Sequence, residues 1–165
     1  MALSWIHPVR GAQAVLAIVV LGLMAYVSSW WTTHWRQMSP SEVNFLIFTP
    51  AWSIVAVVPL VVIPLRFNHL LSSPAARYGF LALEGLTMLF WFGGFVSMAV
   101  FLSDRICFGT VCDVARASTA ISAVSWVVWA VTFVFGVIGV VKGGDLSFRK
   151  KAVVVDKEVD MHQGV

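Results

Sequence analysis

Charge is scarce in this chain. Only 12% of its 165 residues are Asp, Glu, Lys or Arg, 59% are hydrophobic, and the mean hydropathy is +0.88. Water-soluble domains carry roughly twice that share of charge, so one small core cannot shelter so much apolar surface, and lipid is the expected solvent. The net charge of +3 is small and scattered, which excludes a basic groove for nucleic acid. Cysteine is almost missing. Cys107 and Cys112 are the only two, too few for the relay of thiols that a membrane thiol oxidant needs. Histidine gives no metal site, because His7, His34, His69 and His162 are dispersed without partners at ligand spacing. "GVIGVVKGGD" has glycines but lacks the strand and the Lys-Ser/Thr of a phosphate loop. No G-x-S-x-G elbow and no N-x-S/T sequon occurs. No cofactor is expected.

Long apolar runs are what the chain does have. A bilayer core about 30 Å thick takes about 20 apolar residues in a helix, and four stretches meet that length, at about 11–31, 43–65, 78–102 and 117–141. Inside lipid every backbone N–H and C=O must be satisfied within the segment, and the ten-residue alternation of a porin strand is absent. The fold class is therefore all-α, a four-helix transmembrane bundle over residues 10–142, with a short N-terminus (1–9) and a tail (143–165). The first run exceeds the 7–15 residues of a signal-peptide core and lacks a small-x-small cleavage site, so it is expected to be retained as a span.

Orientation follows from the basic residues. Arg10, Arg66, Arg77, Lys142, Arg149, Lys150, Lys151 and Lys157 fall on one side, and only Arg36, Arg105 and Arg116 on the other. Positive charge resists translocation, so both termini are expected in the cytoplasm. Trp30, Trp31 and Trp35 then crowd the outer end of the first helix, and Trp5 and Tyr78 mark the inner boundary, as amphipathic rings prefer. The outer loop "SDRICFGTVCD" places Cys107 and Cys112 in an oxidising compartment, where a structural disulfide is expected. The cytoplasmic side holds no cysteine to palmitoylate. After Lys142 the composition changes sharply and predicts a mobile tail. Its basic residues Lys142, Arg149, Lys150 and Lys151 can lie on anionic lipid, each contributing about 1 kcal/mol near the surface. Ser147 beside them could release the tail on phosphorylation.

Within the spans, Pro50, Pro59 and Pro64 are expected to bend the second helix. On the third, at 100° per residue, Glu84 shares a face with Thr87, Met88, Trp91, Phe95 and Met98, with Gly79, Ala82, Gly93 and Ser97 roughly opposite. Ser118, Ser122 and Ser125 form a line of small residues on the fourth, where helices can approach closely. Trp91, Trp126 and Trp129 fall near mid-membrane and are expected to pack. Glu84 lies about 9–12 Å deep at 1.5 Å per residue, where an ionised acid costs up to about 3 kcal/mol. Burial favours its neutral form, which could donate to a neighbouring helix. Gln13 sits at matching depth on the first helix, with Arg10 one turn before it. A Glu84–Gln13 hydrogen bond closed by Arg10 is the expected polar network.

"RGAQAVLAIVVLGLMAY" (10–26), "PSEVNFLIFTPAW" (40–52), "LEGLTMLFWFGGFVSMAVFL" (83–102), the Cys107/Cys112 pair and "ARASTAISAVSWVVWAVTFV" (115–134) together resemble fungal MARVEL-domain, or membrane-associating-domain, proteins. The resemblance implies an M-shaped four-helix bundle with cytoplasmic ends. It also implies a role in membrane apposition, lipid-rich microdomains or vesicle trafficking. By it, Arg10, Gln13, Asn44, Glu84 and Trp91 become packing positions. The leading expectation is a non-enzymatic organiser in the plasma membrane or a secretory or endosomal compartment. Its partners would be the lipid bilayer, including sterol-rich or anionic lipids, and further membrane proteins or copies of itself, not nucleic acid. The alternatives are a transport or channel accessory using Glu84 and a bent second helix, and a small membrane isomerase or cyclase. The last lacks the second acid or histidine such chemistry needs.

Overall fold

A computed structural model describes residues 6–35, 38–66, 74–104 and 109–162. Trp5, Arg36, His69, Arg105 and Cys107 lie outside the described residues. So do the side chains of Ser147, Arg149, Lys150, Lys151 and Lys157. Helices α1 (Ile6–Trp35), α2 (Ser41–Arg66), α3 (Pro74–Ser103) and α4 (Thr110–His162) are the elements, with no strand among the described residues. Each holds a stretch long and apolar enough to cross a bilayer: Pro8–His34, Ser41–Pro64, Ala75–Ser103 and Thr110–Lys142.

The helices outrun the apolar runs for local reasons. Hydropathy marks where lipid ends, while a helix ends where its hydrogen bonds do. Pro74 opens α3, since proline costs nothing in the first turn, where its missing N–H has no partner to lose. Before α4, Gly109 takes a φ of 94°, a left-handed conformation that suits glycine. Its carbonyl then accepts from Cys112 N at 3.0 Å, starting the helix seven residues before the expected 117. Helix α2 runs through Pro50, Pro59 and Pro64 as one element. Past Lys142, where the apolar span ends, the backbone stays helical to His162. No proline interrupts this stretch, and a charged helix outside lipid meets no desolvation cost.

Two compact units divide the chain. Met1–Phe133 carries the bundle, and Val134–Val165 is the remainder of α4 and the terminus. In the first, Ala17, Val20, Met24 and Val27 on α1 form a core with Val43, Leu46 and Leu60 on α2, Trp91 and Met98 on α3, and Ala115 and Trp129 on α4. The outward faces carry Val15, Ile18, Val55, Val58, Leu89, Val100, Val124 and Val127, the inverse of a soluble protein and the arrangement expected where lipid is solvent. On α3 the buried line is Glu84, Thr87, Trp91, Gly94 and Met98, while Gly79 and Ala82 face outward. Ser118, Ser122 and Ser125 on α4 are buried, and Ser118 Oγ lies 3.0 Å from Met24 Sδ, so the small-residue line receives α1. In the second unit Val134, Phe135, Ile138 and Val141 are exposed.

Candidate functional site

Arg10 and Glu84 are the only charged side chains buried among the described residues, at 8% and 5% exposure. They meet. Arg10 Nη2 donates to Glu84 Oε1 at 2.5 Å, and Arg10 Nη1 donates to Gln13 Oε1 at 2.9 Å. Gln13 Nε2 donates in turn to Thr132 Oγ1 at 3.3 Å. The hydroxyl of Thr132 donates to the Trp129 carbonyl at 3.0 Å. The guanidinium carbon sits 5.3 Å from the centre of the Trp129 ring. This cluster ties α1, α3 and α4 together at the end of the bundle where α1 and α3 begin.

The chain builds this meeting by register. Arg10 and Gln13 are three apart on α1 and share a face. Trp129 and Thr132 repeat that spacing on α4, which runs in the opposite sense. Glu84 lies ten residues into α3, about 15 Å at 1.5 Å per residue, and Thr132 lies ten before Lys142, the end of the α4 span. Four side chains of complementary chemistry therefore arrive at one level.

The direct Glu84–Gln13 bond expected from the sequence is replaced by an arginine that bonds both. The reason is charge. A guanidinium does not lose its proton in proteins, so a buried Arg10 beside a neutral acid would be an uncompensated cation. Glu84 as a carboxylate cancels it, and the Gln13 oxygen takes a second donor. In the bond that the structure shows, Glu84 accepts from Arg10. Thr132 and Trp129 are not expected in this cluster from the sequence, because their distance from Lys142 gives their depth but not the face of α4 they occupy.

A second polar seam joins α2 to α3. Trp91 Nε1 donates to Ser53 Oγ at 2.8 Å, and Ser53 donates to Thr49 O at 2.9 Å. Trp52 Nε1 donates to Thr87 Oγ1 at 3.2 Å, and Thr87 donates to Leu83 O at 2.8 Å. One rule covers both seams. The hydroxyl spends its proton on a carbonyl one turn back in its own helix. Its lone pairs then receive an N–H from the next helix, so the hydroxyl and that N–H are both paired where water is absent.

A family model described as the membrane-associating domain, MARVEL, matches residues 4–135. The chain belongs to the MARVEL family. Neither a curated protein nor a solved structure matches it. The match covers α1 to α3 and α4 as far as Phe135, so every residue of both polar seams lies inside the MARVEL domain. It is an integral membrane protein with four candidate spans.

The other sequence-derived positions fall outside this cluster. Cys112 is buried in the first turn of α4, no described cysteine is free, and Cys107 lies outside the described residues. Lys142 is exposed at the end of the α4 span. Asn44, on α2, donates through Nδ2 to Ser39 O and accepts from Ser39 Oγ at 2.5 Å, fixing the entry of that helix. Among the described residues, no three His, Cys, Asp or Glu side chains converge.

Proposed function

We propose that this MARVEL protein is a non-enzymatic organiser of its membrane, acting through its lipid-facing surface and lateral helix packing. The observation that carries this reading is the commitment of its buried charges. Arg10 and Glu84 neutralise each other, with Gln13 and Thr132 taking further hydrogen bonds. A carboxylate held by a permanent cation is poorly placed to exchange protons with a substrate or an ion, which sets the transport and enzyme readings aside. What remains for contact with other molecules is apolar surface.

The same proposal includes cytoplasmic termini, a Cys107–Cys112 disulfide on the opposite side, and Lys142, Arg149, Lys150 and Lys151 lying on anionic lipid. The strings 10–26, 40–52 and 83–102 support a place in the fungal branch of the family, with residence in the plasma membrane or a secretory or endosomal compartment. Sterol-rich lipid, a second copy or another membrane protein are the partners such a surface suits.

The test is lateral distribution. A fluorescently tagged full chain is expected to form stationary patches that recover slowly after bleaching. A diffuse, freely recovering signal would overturn the organiser reading. Proton or substrate flux through reconstituted vesicles that Glu84→Gln abolishes would replace it with the transport reading.

A further inference from the structure

The charge cluster satisfies itself except on one side. Arg10 Nε and Trp129 Nε1 are both fully buried donors without a partner. They belong to the two groups that stack, with the guanidinium carbon 5.3 Å from the indole centre. Two other indole N–H groups at helix interfaces are used, Trp52 on Thr87 and Trp91 on Ser53. More than nine in ten buried polar groups are paired, and leaving one unpaired costs the full desolvation of that group. Two orphaned donors in one cluster are a demand for an acceptor.

The charge balance defines that acceptor. Arg10 already has its counterion in Glu84, so a second anion would leave the cluster negative in a region that penalises net charge. A neutral oxygen suits both an indole N–H and a guanidinium N–H. Position narrows its source. Arg10 is two residues inside the α1 span, which begins at Pro8, while Glu84 and Thr132 lie nine and ten residues inside theirs, so the Arg10 end of the cluster is the side nearest water and the ester region of a lipid.

We propose that the Arg10–Trp129 face is a binding site for a neutral oxygen acceptor, supplied by a water molecule or by the ester carbonyl of a lipid at that end of the bundle. The site depends on membrane embedding alone and not on the organiser reading.

The experiment reads the Trp129 indole directly. The full chain is labelled with ¹⁵N-indole and placed in nanodiscs of ester-linked phosphatidylcholine, in nanodiscs of its ether-linked analogue, and in lipid-free detergent. The Trp129 signal is assigned by its loss in Trp129→Phe. A downfield, slowly exchanging N–H in all three media identifies water. The same signature only in the ester lipid identifies the carbonyl. An N–H at the position of a free indole in every medium overturns the site.

Replacing Trp129 with 3-benzothienylalanine keeps the ring under Arg10 and removes only the donor. With an acceptor bound, this replacement lowers Tm. With a truly orphaned donor, it leaves Tm unchanged or raises it, and the proposal fails.

Discussion

Glu84 is worth keeping only because Arg10 is there, and the converse holds equally. Removing one partner of a buried pair leaves the other charge without compensation, a loss of about 3–5 kcal/mol, whereas replacing both with apolar side chains is often neutral or favourable. Glu84→Met is therefore expected to destabilise the detergent-solubilised protein strongly, and Arg10→Met to do the same. The double variant Arg10→Met/Glu84→Met should recover most of the loss. Denaturation midpoints of all four proteins, taken as a thermodynamic cycle, measure this coupling; additive losses would mean that the two residues act separately. Arg10, Gln13 and Glu84 stood out in the sequence because polar groups are rare inside apolar runs and their depths matched. Trp129 and Thr132 did not. A tryptophan and a threonine are ordinary in such a run, and their part depends on how α4 is rotated about its axis, which periodicity alone does not fix.

At the scale of elements, the bundle is held by close approach between α2 and α3. A Cβ added at Gly94 would stand 2.8 Å from Leu46 Cδ1, and Leu46 is fully buried. One added at Gly93 would meet Phe45 at an ordinary 3.5 Å. At Gly22, on the outward face of α1, an added methyl meets nothing within 4 Å. Overpacking costs about 1–3 kcal/mol, so Gly94→Ala is expected to lower Tm while Gly93→Ala is near neutral. Gly22→Ala should raise Tm, by up to about 1 kcal/mol of helix propensity. Equal effects at Gly93 and Gly94 would contradict the α2–α3 packing. A further variant tests the hydroxyl rule. Ser53→Ala strands the Trp91 indole, which Ser53 receives at 2.8 Å, and should cost about 1–3 kcal/mol. Trp91→Phe/Ser53→Ala removes both groups and should cost less than the sum of the single changes. The four spans were legible as lengths of apolar sequence, because lipid demands that length. Their ends were not: Pro74, Gly109 and the continuation past Lys142 answer to backbone hydrogen bonding, which hydropathy does not weigh.

For the molecule as a whole, the bundle presents lipid-compatible side chains outward and a neutralised charge cluster near one end, and the basic residues are divided eight to three between the two sides. Each positive charge that must cross the bilayer during insertion resists doing so, so the side with eight should stay in the cytoplasm. Met38, between α1 and α2, is 90% exposed, and Lys157 belongs to the tail, so single cysteines at these positions report on opposite faces. On sealed cells, or on vesicles keeping the cellular orientation, Met38→Cys should react with a membrane-impermeant maleimide. Lys157→Cys should react only after permeabilisation. The native chain supplies its own control. If Cys107 and Cys112 are bonded, it stays unlabelled until a reductant is added and then reacts from the outer side. Labelling of Lys157→Cys on sealed membranes would invert the topology, moving the cysteine pair into the reducing cytosol and the Arg10–Glu84 cluster to the outer leaflet. The basic tail would then be out of reach of the anionic lipid that its charge suits.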